Sequence, residues 1–180
     1  MYESFLERVL FSEETLNERI TQMAKQIEND YKGKKPLIVA LLKGSVLFFS
    51  DLIRKLNGDL EIDFMSISSY GSDSKSSGEV RMIKDLDKKI EGKDVIIVED
   101  IIDSGYTMKY LKNLLQTRNP ASIRVCTLLD KPSRRETDVT SDYVGFEVEN
   151  EFVIGYGLDY DGLYRNLPFI GILKRSVYEK

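Results

Sequence analysis

The stretch Asp94 to Met108, DVIIVEDIIDSGYTM, decides the fold. Asp94 to Val98 is an apolar strand without polar alternation, the pattern of a strand buried on both faces. Two adjacent carboxylates follow, Glu99 and Asp100, then Ile101 and Ile102. Asp103-Ser104-Gly105-Tyr106-Thr107 then opens a helix that reads from Gly105 to Leu115. Gly105 permits a tight turn, and the amides around it can wrap a phosphate at the positive end of the helix dipole, helped by the Ser104 and Thr107 hydroxyls. The carboxylates just upstream suit ribose hydroxyls or a hydrated Mg²⁺. The segment is neither a Walker A loop, which needs Gly-Lys-Ser/Thr, nor a GxGxxG fingerprint.

Working outward, Pro36 to Leu42 (PLIVALL) is a second continuous apolar run, turned by Lys43-Gly44-Ser45. Val46, Phe49, Leu52, Ile53 and Leu56 form a helical stripe ended by Asn57-Gly58. Leu60, Ile62 and Phe64 alternate like a half-buried strand, and Ser122 to Leu129 reads as a further apolar strand. Upstream, Ser12 is an N-cap candidate followed by Glu13 and Glu14. Leu16, Ile20, Met23, Ala24 and Ile27 then recur at helical spacing, predicting a helix that ends near Tyr31. Residues 68–78 are Ser- and Gly-rich and read as a mobile loop, with strand-like EVRMIKDL resuming after it. Tyr143 to Val148, Phe152 to Ile154 and Phe169 to Leu173 are strand-like. Strand, helix, strand in sequence implies an α/β fold: an open, mainly parallel twisted sheet with helices on both faces. Ligands of such sheets bind beyond the carboxyl ends of the strands, where Lys43-Gly44, Glu99 to Thr107 and the segment from Lys131 onward would meet.

Composition narrows the chemistry. The chain has 180 residues, 42% hydrophobic and 31% charged, which suits one domain with a real core. It has no histidine, which removes Ser-His-Asp and Cys-His catalysis and His-ligated metals. The single cysteine, Cys126, removes an internal disulfide framework and a structural zinc site, and its apolar strand makes it a core residue. A net charge of −4 argues against nucleic acid and anionic membrane as partners. The first residues show no secretory pattern, and the longest apolar stretch, Pro36 to Phe49, is cut by Lys43-Gly44-Ser45 and cannot span a bilayer. The expectation is a reduced, soluble, cytoplasmic protein whose chemistry comes from carboxylates, Lys, Arg, hydroxyls, amides or a hydrated metal ion.

The segment VIIVEDIIDSGYTM resembles the phosphoribosyl pyrophosphate (PRPP) motif of type I phosphoribosyltransferases. More narrowly, the chain resembles their hypoxanthine (hypoxanthine-guanine) branch. The narrower likeness rests on LLKGS at Leu41 to Ser45, SSYG at Ser68 to Gly71, LLDKPSRR at Leu128 to Arg135 and FVIGYGLDYDGLYRNLP at Phe152 to Pro168. The resemblance implies one phosphoribosyltransferase domain over 1–180, with a core at about 34–150. It also implies a small hood from the N-terminal segment and about 151–180, and a mobile loop at about 68–80.

The reaction implied is Mg²⁺-dependent purine salvage. A 5-phosphoribosyl group passes from PRPP to hypoxanthine or guanine, giving IMP or GMP and pyrophosphate, in a homodimer or homotetramer. By the same resemblance Glu99 and Asp100 hold the ribose hydroxyls and help seat the metal, and Asp159 is a second metal contact. Asp103 is the catalytic acid/base near N7 of the purine. Ser104, Gly105, Tyr106 and Thr107 form the 5′-phosphate loop, in which Tyr106 stands where many relatives carry Lys and serves through its amide. Lys43 and Gly44 form the pyrophosphate loop, after a peptide that can be cis in this family, and Arg165 also binds pyrophosphate. Lys131 donates to the 6-oxo group, Phe152 stacks on the base, Val153 offers backbone contacts and Ile101 packs on the other face. Ser69 and Tyr70 lie at the base of a lid. Arg134 and Arg135 read as a solvated pair or as a subunit contact. Two alternatives stay open: a phosphoribosyltransferase for another base such as xanthine, and a PRPP-binding regulator without catalysis.

Overall fold

The computed structural model describes Tyr2, residues 4–69 and residues 80–179. The described residues form strands β1 (Leu6–Phe11), β2 (Leu37–Leu42), β3 (Glu61–Ser69), β4 (Val80–Lys84), β5 (Asp94–Ile102), β6 (Ser122–Asp130), β7 (Tyr143–Glu147), β8 (Val153–Ile154) and β9 (Ile170–Leu173), together with four α-helices. These are α1 (Glu13–Asp30), α2 (Val46–Ile53), α3 (Tyr106–Gln116) and α4 (Arg175–Tyr178). Six strands form one sheet in the order β4-β3-β2-β5-β6-β7, in which only β4 runs antiparallel. Strands from the two ends of the chain, β1, β9 and β8, form a small antiparallel sheet. Among the described residues no helix is long and apolar enough to cross a membrane.

The continuous apolar runs of β2 and β5 follow from helices on both faces. Ile38, Ala40, Ile96, Val98, Cys126 and Leu128 point to one side and pack with α1 and α2. Leu37, Val39, Leu41, Val95, Ile97 and Val125 point to the other and pack with α3. Alternate residues of each strand are therefore buried in different layers. Helix α1 begins as its sequence dictates: the Ser12 hydroxyl accepts the Thr15 amide at 3.3 Å, and Glu13 and Glu14 occupy the first turn. Its apolar stripe, Leu16 to Ile27, is buried. Burial also pushes the Cys126 thiol well above its ordinary value, so it stays a neutral core group.

Three local expectations need correction, and one strand was not foreseen. The strand carrying the acidic pair does not stop at Val98; β5 runs to Ile102, because β6 keeps pairing alongside it (Glu99 with Thr127, Ile101 with Leu129). Helix α2 ends at Ile53 rather than near Leu56, since the Lys55 and Leu56 amides bond three residues back and tighten the last turn. On β3 the expected one-faced alternation fails. Phe64 packs edge-on against Phe49, Met65 is buried in the α3 layer, and Ile62 is 47% exposed. Between them Asp63 is buried and accepts the Phe64 and Asp87 amides at 2.7 and 2.8 Å, with Lys84 beside it. Finally, β1 has no clear sequence signal. Its pairing partner is β9 at the far end of the chain, with Leu6 opposite Leu173 and Phe11 opposite Ile170.

Candidate active site

Going outward from the centre of the sheet, chain order reverses between β2 and β5: β2 leads on to β3, while β5 leads away to β6 and β7. Such a switch point leaves a crevice at the carboxyl ends of the two strands. The turn after β2 enters it through a cis Leu42–Lys43 peptide. Ser45 anchors this turn, its buried hydroxyl donating to the Leu41 carbonyl at 2.6 Å. A methyl group on Gly44 would overlap the Asp100 carboxylate, and one on Gly157 would overlap the Gly44 carbonyl. The backbone at 44 is thus held between β5 and the Tyr156–Arg165 loop at a distance only glycine allows. The Lys43 side chain is exposed and lines neither of the two cavities described below.

The first cavity, about 190 Å³, lies over the start of α3 and is lined by Glu99, Asp100, Asp103, Ser104, Gly105 and Thr107 among others. Gly105 has φ +89°, closed to most side chains, and initiates the eleven-residue helix. A methyl group there would collide with Thr137 and Arg135, which brace the loop from behind. Tyr106 turns away from this cavity: it is 45% exposed and its hydroxyl donates to Glu136 Oε2 at 3.0 Å, which raises the phenol's pKa. Its side chain is therefore free to vary while its amide stays in the loop. Glu99 holds its proton more tightly than an ordinary carboxylic acid. Burial is the larger cause, and the neighbouring Asp100 charge adds to it. The Asp100 amide bonds Glu99 Oε1 at 3.1 Å, and the Ile101 amide bonds Asp100 Oδ1 at 2.8 Å, so both carboxylates are fixed locally.

The second cavity, about 620 Å³, adjoins the first, and Asp100, Ile101 and Asp103 line both. Its far side carries Lys131, Phe152 and Val153. Lys131 is only 7% exposed and donates from Nζ to the Glu151 carbonyl at 2.8 Å. Burial pulls its pKa below the usual lysine value, the Asp103 charge opposes that, and Arg134 adds to it. The Phe152 ring lies against Tyr178 (centroids 5.0 Å apart, planes at 28°) and edge-on to Tyr160 at 5.5 Å. Arg165 and Asp159 are each other's partners at 2.7 Å, with Arg165 also donating to the Gly157 carbonyl at 2.6 Å and Asp159 accepting the Gly162 amide at 2.8 Å. Among the described residues no group of three or more Asp, Glu or Cys side chains converges as a metal cage, so Glu99, Asp100 and Asp159 do not form one closed site. Ser69 ends β3, whereas Tyr70 and residues 71–79 of the expected lid lie outside the described residues.

Arg134 and Arg135 are not a solvated pair. Arg134 Nε donates to Asp103 Oδ1 at 2.8 Å. Arg135 donates to the Asp103 carbonyl at 3.0 Å and the Val139 carbonyl at 2.6 Å, and pairs with the Asp130 carboxylate. The 3₁₀ turn Pro132–Arg134 after β6 points both arginines back at the loop that follows β5. The sequence carried no signal for these contacts, which join residues some 30 positions apart. Tyr178, Arg175 and Glu179, which wall the larger cavity, carried none either.

Residues 12–161 match the phosphoribosyl transferase domain family. The chain is 51% identical over 174 residues to the hypoxanthine-guanine phosphoribosyltransferase of Bacillus subtilis, covering 97% of each. It is 50% identical over 175 residues to the bifunctional protein TilS/HprT of Listeria monocytogenes, where it spans 97% of its own length but 27% of that relative's. A crystal structure of a hypoxanthine phosphoribosyltransferase from Staphylococcus aureus superposes with a TM-score of 0.95 at 48% identity, covering 99% of this chain and 97% of that one. The mainly parallel sheet, the crevice at its switch point and the relatives agree: the chain belongs to the phosphoribosyl transferase domain family.

Proposed function

We propose that the protein transfers the 5-phosphoribosyl group of PRPP to hypoxanthine and guanine, forming IMP and GMP and releasing pyrophosphate. One observation carries this reading: a cavity lined by Ser104, Gly105 and Thr107 over a helix N-terminus and a cleft with a buried lysine and an aromatic ring share the wall Asp100, Ile101 and Asp103. A 5′-phosphate seated on the Ser104–Thr107 amides faces the positive end of α3. The ribose then lies along Glu99 and Asp100. The purine enters the larger cleft between Phe152 and Ile101, with Val153 offering backbone groups and the Lys131 ammonium donating to O6.

The reaction builds positive charge on the ribosyl ring and negative charge on the departing pyrophosphate. The chain meets the first with carboxylates and the second with the Lys43-Gly44 turn and Arg165. Asp103, on the shared wall, takes the proton at N7 as the bond to the sugar forms. The donor set suits Mg²⁺, a hard cation that takes carboxylate oxygens and keeps several waters, and Asp100 and Asp159 both line the larger cavity. Glu99, Asp100 and Asp159 would hold it, and when bound it neutralises the pyrophosphate charge. The small β1-β9-β8 sheet, built from both chain ends, serves as the hood over the base. The protein works as a homodimer or homotetramer.

The test is nucleotide formation from PRPP and Mg²⁺ with hypoxanthine, guanine, xanthine and adenine in separate reactions. IMP and GMP should form and adenine should not react. Conversion of xanthine alone, or of no base, overturns the reading.

A further inference from the structure

Arg134 lies three residues beyond Lys131, and its guanidinium reaches into the larger cleft. Nε donates to Asp103 Oδ1 at 2.8 Å and Nη1 reaches Asn150 Oδ1 at 3.4 Å. Among the described residues the second oxygen of Asp103, Oδ2, accepts no hydrogen bond. The Asp103 backbone is fixed separately, through the Arg135 bond to its carbonyl. Arg135 therefore sets the main chain at this position and Arg134 the carboxylate.

The Arg134–Asp103 pair is about half exposed on both sides, so water screens it and it adds little to fold stability. What it does fix is direction: a short carboxylate on a loop at a cleft mouth otherwise rotates freely. We propose that Arg134 is a positioning residue for the transfer reaction, holding Oδ1 so that Oδ2 faces the purine. This rests on the reading of Asp103 as the group that meets N7. The planar fork matters as well as the charge, because Nε and Nη1 bridge Asp103 and Asn150 together, and a lysine has a single point of attachment.

The experiment is a double-variant cycle on the purified protein, with kcat, both KM values and thermal midpoint measured for Arg134→Ala, Asp103→Asn and the two combined. Arg134→Ala should lower kcat about 10- to 100-fold, the scale of a misplaced reacting group. The KM for PRPP and the thermal midpoint should not change. In the Asp103→Asn background the same substitution should cost nothing further. Added guanidinium ion should restore part of the kcat of Arg134→Ala and none in the combined variant. Arg134→Lys, which keeps the charge and the fold, should recover little. Wild-type kcat in Arg134→Ala, or an equal loss in both backgrounds, overturns the inference while leaving Asp103 in place. Near-normal kcat in Asp103→Asn would remove the Asp103 reading and this inference with it.

Discussion

Replacing Lys131 with alanine should separate recognition of the base from recognition of PRPP. Among the described residues the Lys131 ammonium is the one buried cation lining the cleft, and the Glu151 carbonyl already holds it in place by accepting at 2.8 Å. A hydrogen bond to a charged group contributes roughly 1.5–3 kcal/mol. At about 1.4 kcal/mol per decade the loss is roughly 10- to 150-fold in kcat/KM for hypoxanthine and guanine. Glu151 lines the cleft, so water can take the place of the ammonium at its carbonyl and the fold should survive. The assay is steady-state turnover with each purine, beside a calorimetric titration of PRPP. Burial adds a second signature. The lysine pKa is lowered, so as pH rises the charged donor disappears before an ordinary lysine would lose its proton. The kcat/KM for hypoxanthine should therefore fall on an alkaline limb below the usual lysine range, and Lys131→Arg should shift that limb upward. Unchanged use of hypoxanthine by Lys131→Ala, with PRPP affinity lost instead, would refute the placement of this residue against the base.

Three further outcomes are expected. Asp103→Asn should keep PRPP affinity and lose roughly 10²- to 10⁴-fold in kcat, the usual contribution of a general acid or base, as stopped-assay turnover and a binding titration would show. Gly44→Ala puts a methyl group where the Asp100 carboxylate lies, so PRPP affinity should drop while the thermal midpoint changes little; wild-type affinity by calorimetry would contradict the close packing of the turn. Tyr178→Ala removes the ring behind Phe152, a pair contributing about 0.5–1.5 kcal/mol, and should raise the KM for hypoxanthine up to about tenfold without touching that for PRPP.

Local features of this fold were legible and non-local ones were not. Asp94 to Met108 could be read because strand, acidic pair, glycine turn and helix are consecutive, and each is specified by its neighbours. The Ser12 cap and the stripe of α1 were legible for the same reason. Strand β1 was not, since half of its residues are exposed and its pairing energy comes from β9 some 160 residues away. On β3 the period misled, because Asp63 is buried by a loop whose amides satisfy it, and no alternation rule foresees that. At the site, the types of Lys131 and Asp103 hinted at their chemistry. Their partners, the Glu151 carbonyl and Arg134, come from tertiary geometry alone. The exposed look of an Arg-Arg pair after Pro132 concealed two different tasks on either side of one loop.

The most direct measurement is a crystal structure of the protein with IMP and Mg²⁺. The 5′-phosphate should lie on the amides of Ser104 to Thr107, the purine between Phe152 and Ile101, and O6 within hydrogen-bond distance of Lys131 Nζ. A nucleotide bound away from α3, or with its base turned so that O6 faces elsewhere and Lys131 keeps only Glu151, would contradict this placement.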